Sequence, residues 1–392
     1  MTNGLSGPRK QFLDVLRVLA TCAVVLMHVL TGATDVTDAS IVPEYRSLLL
    51  SVMDLVTWCV PIFLLISGYL FLNPERTLTY PVMIKKYCRR IALAILLFGV
   101  PYAASELVVA ERTFRIRMIP EALKMTLMGH TWSHMWYLYL ILFLYLITPL
   151  LKKVLRVLPV WGGVAMMAVI FLGSSVAPFL NKVLDVNSIP VLPDGGVYFL
   201  YYLCGYFFAV REVCVDKGRN AGGQMVESGS GRSAGDNTEW CGETQNVESR
   251  AWNVWLTAAV AVLALGMILS RTLAGFSIQM AYNYPFTVLL AVLLFAAGWN
   301  GSIKKHRIPW QEAGALSFAV YLVHPVYVNL LYKFVKITPF TVLEQCGVQS
   351  VAAGQAVLIL LLAAFCLVVL ALATATAWVL QNQYRCCARS RC

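Results

Sequence analysis

Residues 351–380 read VAAGQAVLILLLAAFCLVVLALATATAWVL and contain no Asp, Glu, Lys or Arg. A helix needs about 20 apolar residues to cross the hydrocarbon core of a bilayer, so this stretch is long enough to span it. No water is present there to satisfy backbone polar groups, whereas a helix satisfies them internally. The stretch therefore predicts a membrane-spanning helix.

The rest of the chain repeats this pattern. Of its 392 residues, 59% are hydrophobic and 13% are charged, whereas soluble domains are about half apolar and a quarter charged. The segments that approach spanning length are 12–30, 48–72, 88–110, 135–151, 160–180, 197–210, 252–270, 284–299, 315–335 and 351–380. The sequence thus predicts an all-α polytopic integral membrane protein with about ten transmembrane helices, of which the sixth and eighth are the shortest.

The net charge of +11 has a topological interpretation. About two thirds of the Lys and Arg residues lie at the two termini and in the loops after even-numbered helices, which is the bias that cytoplasmic segments show. Both termini are therefore predicted to be cytoplasmic. Because the basic residues form short runs between apolar stretches, we expect membrane lipid rather than nucleic acid as their partner.

The sequence predicts one membrane domain whose helices are interrupted by a single linker. Helices one to six occupy 1–212 and helices seven to ten occupy 251–381, with a basic, Cys-rich cytoplasmic tail at 382–392. Residues 213–250 include GRNAGGQMVESGSGRSAGDNTEW, a composition typical of a flexible linker, here cytoplasmic. Between 111 and 134, basic and apolar residues interleave, which predicts an interfacial helix on the outer surface.

Ionisable side chains within a span are costly and are therefore candidates for function. The first helix contains Asp14, Arg17 and His28. Asp14 and Arg17 can pair across one turn, and His28 lies on the same face about 16 Å further along. The alternatives are a structural ion pair at the helix end and a histidine that is hydrogen-bonded between helices.

Several motifs carry a family resemblance. The run FLDVLRVLATCAVVLMHVL, in which ten residues separate Arg17 from His28, resembles the opening helix of the bacterial membrane acyltransferase-3 family, whose hallmark is Arg or Lys, ten residues, then His. Similar runs follow in order: PIFLLISGYLF around Ser67, KKYCRRI before Pro101 and Tyr102, HMWYLYLILFLYLITP from His134, and SFAVYLVHP ending at His324 and Pro325.

The resemblance implies a multi-pass enzyme of the bacterial cytoplasmic membrane. Such enzymes transfer an acyl group, usually acetyl, from cytoplasmic acyl-CoA to a hydroxyl of an envelope carbohydrate or lipid-linked glycan. His28 would be the catalytic histidine, as general base or as a nucleophile that carries the acyl group. Acetyl-CoA or another acyl-CoA is the expected co-substrate, and no metal is expected. The sequence does not predict the oligomeric state.

A basic cluster precedes the third helix. Lys85, Lys86, Arg89 and Arg90 stand on the predicted cytoplasmic side, where they could bind the phosphates of coenzyme A. Anchoring to anionic lipid explains the same cluster. The family usually has two arginines three residues apart, and this chain has Lys86 with Arg89, or Tyr87 with Arg90, instead. Arg17 is the other candidate contact for the donor.

Four further residues are candidates for the acceptor side. His134 and Trp136 are predicted near the outer boundary, although Trp136 could belong to an interfacial aromatic belt and His134 could be solvated. His324 precedes Pro325, which predicts a kink lining a cavity, where His324 could contact the substrate or only satisfy the carbonyl that the kink frees. Ser67 could contact the acceptor or, with Gly68, allow two helices to approach closely.

Other classes of protein leave no comparable signal. The chain lacks an HExxH motif and a Walker loop, so metalloprotease and ATP-driven functions are not indicated. The alternative is a transporter or flippase of a lipid-linked glycan or small solute, although no internal repeat is visible. A non-catalytic membrane sensor is a third possibility, in which His28 would be dispensable.

Overall fold

The computed structural model describes residues 11–36, 42–193, 195–224, 258–267, 281–300 and 309–389. These residues form helices and turns, with no strand among them, which confirms the all-α fold. In this described part, eight helices are long and apolar enough to cross a membrane, and two shorter apolar helices accompany them. Every predicted segment therefore overlaps an apolar helix, and the sixth is long enough to span. Of the seventh, residues 252–257 and 268–270 lie outside the described part of the chain.

The helix bounds are α1 Gln11–Val36, α2 Pro43–Val56, α3 Cys59–Phe71, α4 Tyr80–Val82, α5 Arg89–Glu111, α6 Met118–Leu127, α7 Trp136–Val157, α8 Val160–Phe171, α9 Ala177–Val183, α10 Gly196–Gln224, α11 Ala258–Met267, α12 Pro285–Asn300, α13 Trp310–Asn329, α14 Pro339–Gln345 and α15 Val351–Arg389. Wider π-helical turns at Met83–Cys88 and Leu172–Val176 join α4 to α5 and α8 to α9, and a third at Leu330–Phe334 follows α13.

The second predicted span is divided into α2 and α3. Pro61 has no backbone N–H, so the carbonyl of Thr57 lacks its usual helical donor. The Thr57 side chain donates to the Met53 carbonyl at 2.9 Å, and the helix resumes with a bond from Ile62 N to Trp58 O at 3.1 Å.

Two helices end later than predicted. α10 continues to Gln224, inside the predicted linker, and α15 continues to Arg389, inside the predicted tail. Extending an existing helix adds a hydrogen bond for each residue fixed, so a helix can continue beyond the apolar residues with which it starts. The remainder of the linker, 225–250, and the last three residues lie outside the described residues.

The described residues form two compact units. The first lies within Met1–Ile66, Val169–Tyr201 and Thr244–Cys392, and the second lies within Ser67–Ala168 and Tyr202–Glu243. In the first unit, buried aliphatic side chains of α1, α2, α13 and α15, such as Val29, Leu49 and Leu358, form the main core.

In the first unit, α1 and α13 run parallel. Asp14 lies against Gly314, His28 against His324, and the Tyr332 hydroxyl beyond α13 donates to the Val29 carbonyl at 3.2 Å. Residue numbers therefore rise in the same direction along both helices. Parallel packing of the first and ninth spans is what alternating crossings require.

In the second unit, α5 and α7 run antiparallel and α6 packs on α5. Met118, Ala122 and Thr126 form the buried face of α6, while Ile119, Leu123 and Leu127 are exposed. The predicted helix between 111 and 134 is therefore present and directs an apolar stripe outward. Its position at the outer membrane surface stays a prediction.

Candidate active site

The polar residues of α1 begin with an ion pair. Arg17 Nη1 lies 2.9 Å from Asp14 Oδ1, and the Asp14 residue is 1% exposed. The Arg17 side chain is 26% exposed, so its guanidinium keeps access to a ligand or solvent. The pair predicted from the three-residue spacing is therefore present.

A glycine on α13 makes room for this pair. A Cβ atom on Gly314 would lie 2.8 Å from Asp14 Oδ1, closer than real Cβ contacts allow, and 3.2 Å from Asp14 Cα, which is tighter than most. The Asp14 side chain therefore packs directly against the backbone of α13. Sequence reasoning missed Gly314, because only the partner helix reveals the requirement for a small residue.

The His28 ring is oriented by its own helix. Nδ1 lies 2.9 Å from the Val24 carbonyl oxygen. A carbonyl oxygen can only accept, so Nδ1 carries the proton in this bond and the lone pair of the neutral ring is on Nε2. The arrangement presents Nε2 as the proton-accepting atom.

His324 repeats this arrangement on α13. The residue is fully buried, and its Nδ1 lies 3.2 Å from the Val320 carbonyl oxygen. The donor that Pro325 removes would have served the Tyr321 carbonyl. His324 therefore does not replace that missing donor through Nδ1.

The two histidines meet across the helix pair. The ring centroids of His28 and His324 are 4.9 Å apart, with the planes 74° apart. The sequence nominated both residues for one site without predicting contact between their rings. The structure brings them together and thereby restricts the rotation of each ring.

Two tyrosines that sequence reasoning missed belong to the same unit. The Tyr321 ring lies 6.1 Å from the His324 ring, and Tyr321 is within electrostatic range of Tyr282 and Cys59. Burial, and secondarily the Cys59 thiol, raises the pKa of Tyr282 above its ordinary value. Tyr282 therefore remains a neutral phenol at physiological pH. The spacing of Tyr321 and His324 was the available signal, since residues three apart share a helix face.

The basic cluster belongs to the second unit. Lys85 and Lys86 lie in the π-helical turn Met83–Cys88, and Arg89 and Arg90 open α5; all four are exposed. Lys86 Nζ lies 5.4 Å from the centroid of the Tyr87 ring, a cation–π distance. The positions are compatible with binding phosphate or anionic lipid.

His134 is buried rather than solvated. It is 3% exposed in the turn Ser133–Met135 before α7, which contradicts the solvated alternative. Its ring lies 5.5 Å from that of Tyr102, and Tyr102 stacks on Trp132 at 4.2 Å with a 3° angle between the planes. Trp136 is half-buried and contacts Tyr137 edge to face.

Ser67 is 8% exposed. A Cβ on the adjacent Gly68 would overlap the Tyr202 carbonyl oxygen, so α3 and α10 approach backbone to backbone at this point. The close helix contact considered from the sequence is therefore present at Gly68. An acceptor contact for Ser67 stays a prediction.

The predicted site residues divide between the two units. Asp14, Arg17, His28 and His324 belong to the first, and Ser67, Lys86, Arg89, Arg90, His134 and Trp136 belong to the second. In the described part of the chain, no three His, Cys, Asp or Glu side chains are grouped as metal ligands.

A family model described as "Acyltransferase domain", that of acyltransferase-3, matches residues 10–378. The match covers nearly all of the described helices and includes every candidate site residue. No curated protein and no solved structure matches the chain significantly.

Proposed function

Because the chain belongs to the acyltransferase-3 family and is a multi-pass membrane acyltransferase, we propose that it moves an acyl group from cytoplasmic acyl-CoA to a hydroxyl. Acetyl is the proposed group, and a carbohydrate or lipid-linked glycan of the cell envelope is the proposed acceptor. The family match favours an enzyme over the alternative of a transporter or flippase. The proposed location is the bacterial cytoplasmic membrane.

The observation that carries the mechanism is the orientation of His28. With Nδ1 donating to Val24, Nε2 can take the proton of the acceptor hydroxyl. The hydroxyl oxygen then attacks the thioester carbonyl, the C–S bond breaks, and the imidazolium returns its proton to the thiolate of coenzyme A. Direct acylation of Nε2 is the alternative, and it would use the same atom.

His324 would act beside His28 on the acceptor side. Its ring limits the orientations open to the His28 imidazole, which keeps Nε2 directed at one position. Orientation of a reacting group supplies a large part of many catalytic effects. His134, Trp136 and Ser67 are proposed as further acceptor-side residues.

The donor would be held by cations. Arg17 is proposed to bind a phosphate or the pantetheine of acyl-CoA, oriented by Asp14 at 2.9 Å. Lys86, Arg89 and Arg90 are proposed to bind phosphate groups through charge-assisted hydrogen bonds. The exposure of all three side chains supports this role, since a ligand can reach them.

The test is transfer of label from acetyl-CoA to candidate glycans by the purified protein. His28→Ala should lower the rate about 10² to 10⁴-fold, the usual contribution of a general base. The matched control is His130→Ala, because His130 is exposed in the turn after α6. A rate unchanged in His28→Ala would remove the mechanism, and a wild-type protein that never binds coenzyme A would favour the transporter.

A further inference from the structure

The turn that follows α3 is held by a lysine from α7. Lys152 Nζ donates to the Asn73 carbonyl at 2.5 Å and to the Arg76 carbonyl at 2.6 Å. An ammonium group has three donors, so one remains available. The side chain is half-buried, which fixes the position of that donor.

Arg76 is fixed in the same turn. Its Nη1 donates to the Leu70 carbonyl at 2.8 Å and its Nη2 to the Tyr87 hydroxyl at 3.3 Å, while the guanidinium carbon lies 5.6 Å from the Phe71 ring centroid. A guanidinium has five N–H donors, so these contacts leave others available. The contact with Tyr87 also joins Arg76 to the turn that contains Lys86.

Arg76, Lys152 and Arg156 have no carboxylate partner among the described residues. Arg156 follows Lys152 by one helical turn, and neither residue nor Arg76 forms an ion pair with a described acid. The neighbouring Glu75 is exposed and pairs with none of them. Holding half-buried cations together without a counterion is costly, and an anion would offset that cost.

We propose that Arg76 and Lys152 form a phosphate-binding site, with Arg156 at its edge. The ligand class is a phosphate ester or pyrophosphate. The ends of α3 and α7 and the start of α5 form this region, and these are the helix ends that the charge bias predicts to be cytoplasmic. Assigning the phosphate to acyl-CoA rests on the proposed function, and the headgroup of an anionic lipid offers the same chemistry.

The purely structural explanation is that Arg76 and Lys152 only cap carbonyls, Arg76 that of Leu70 in the last turn of α3 and Lys152 two in the turn that follows. Cations near a helix C-terminus commonly do so. That role accounts for two donors of Lys152 and for the bond from Arg76 Nη1 to the Leu70 carbonyl, but it assigns no role to the remaining N–H groups of the Arg76 guanidinium. The test therefore centres on Arg76.

The experiment measures binding of free coenzyme A, and separately of inorganic pyrophosphate, to the full chain in nanodiscs of zwitterionic lipid. Arg76→Gln and Lys152→Gln should each weaken binding about tenfold or more, the size of a lost charge-assisted hydrogen bond. The matched control is Lys153→Gln, because Lys153 is the exposed neighbour on α7. Lys153→Gln should change binding less than about twofold, because it removes the same charge but no hydrogen bond to the phosphate.

The outcomes separate the two proposals. Coenzyme A and pyrophosphate binding unchanged in folded Arg76→Gln would overturn the site. If coenzyme A does not bind but pyrophosphate binds through Arg76, the phosphate-binding site is confirmed and the proposal that acyl-CoA is the donor is wrong. If anionic lipid displaces pyrophosphate in wild type and not in Arg76→Gln, the headgroup is the source of the phosphate. Arg76→Lys, with unfolding temperature as a check, should retain part of the affinity if Arg76→Gln does not fold.

Discussion

The imidazole rings of His28 and His324 meet edge to face, with centroids 4.9 Å apart, on two parallel helices. Each ring is also tied through Nδ1 to a carbonyl four residues earlier in its helix. The two rings therefore restrict each other's rotation. In each ring, Nε2 is the nitrogen that is not bonded to the backbone of its own helix.

His324→Gln is expected to lower kcat about 10 to 100-fold while the KM for acyl-CoA changes little. Displacing the His28 imidazole lowers the rate of transfer steeply, whereas other residues are proposed to bind the donor. The measurement is steady-state transfer across a pH series, because a released His28 ring should also shift the pH at which kcat rises. A KM that rises while kcat is retained would instead assign His324 to substrate binding.

Asp14→Asn is expected to act through Arg17. Removing one partner of a buried ion pair costs about 3 to 5 kcal/mol when the other charge stays buried. Arg17 is partly exposed, so the loss of stability should be smaller, and the main effect should be a higher KM for acyl-CoA. Arg17→Lys should raise the same KM, because lysine lacks the planar fork. An unchanged KM in both variants would leave the pair with a structural role only.

The sequence predicted those features of the fold that the surrounding lipid imposes. Lipid imposes length and apolarity on a span, so segments such as 351–380 were visible without a structure. Asp14, Arg17 and His28 stood out because charge in a span is costly. The partners of these residues were not predictable, since the need for a small residue at Gly314 and the contact of His324 with His28 arise from the packing of α13 on α1. Helix ends were also missed, because α10 extends through Gly and Asn residues that by themselves favour coil.

Tyr282 predicts a loss of stability at alkaline pH. Burial raises the pKa of Tyr282 in the folded protein, while the unfolded chain ionises near pH 10. Its stabilising contribution is therefore complete below pH 10 and is lost as the pH rises toward the folded pKa. Thermal unfolding between pH 8 and 11.5 should show a shallower alkaline decline for Tyr282→Phe than for wild type. Tyr80→Phe, at an exposed tyrosine, should leave the decline unchanged.

Gly314→Ala should disturb the Asp14–Arg17 pair, because the added methyl would meet Asp14 at 2.8 to 3.2 Å. Overpacking of this kind typically costs about 1 to 3 kcal/mol, so we expect a lower unfolding temperature and a higher KM for acyl-CoA. Gly163→Ala is the matched control, since it lies in α8 with nothing within 4 Å of its added methyl. There alanine should stabilise by about 0.5 to 1 kcal/mol through the lost flexibility of glycine. Equal effects in the two variants would show that the packing of α13 against Asp14 contributes nothing beyond helix propensity.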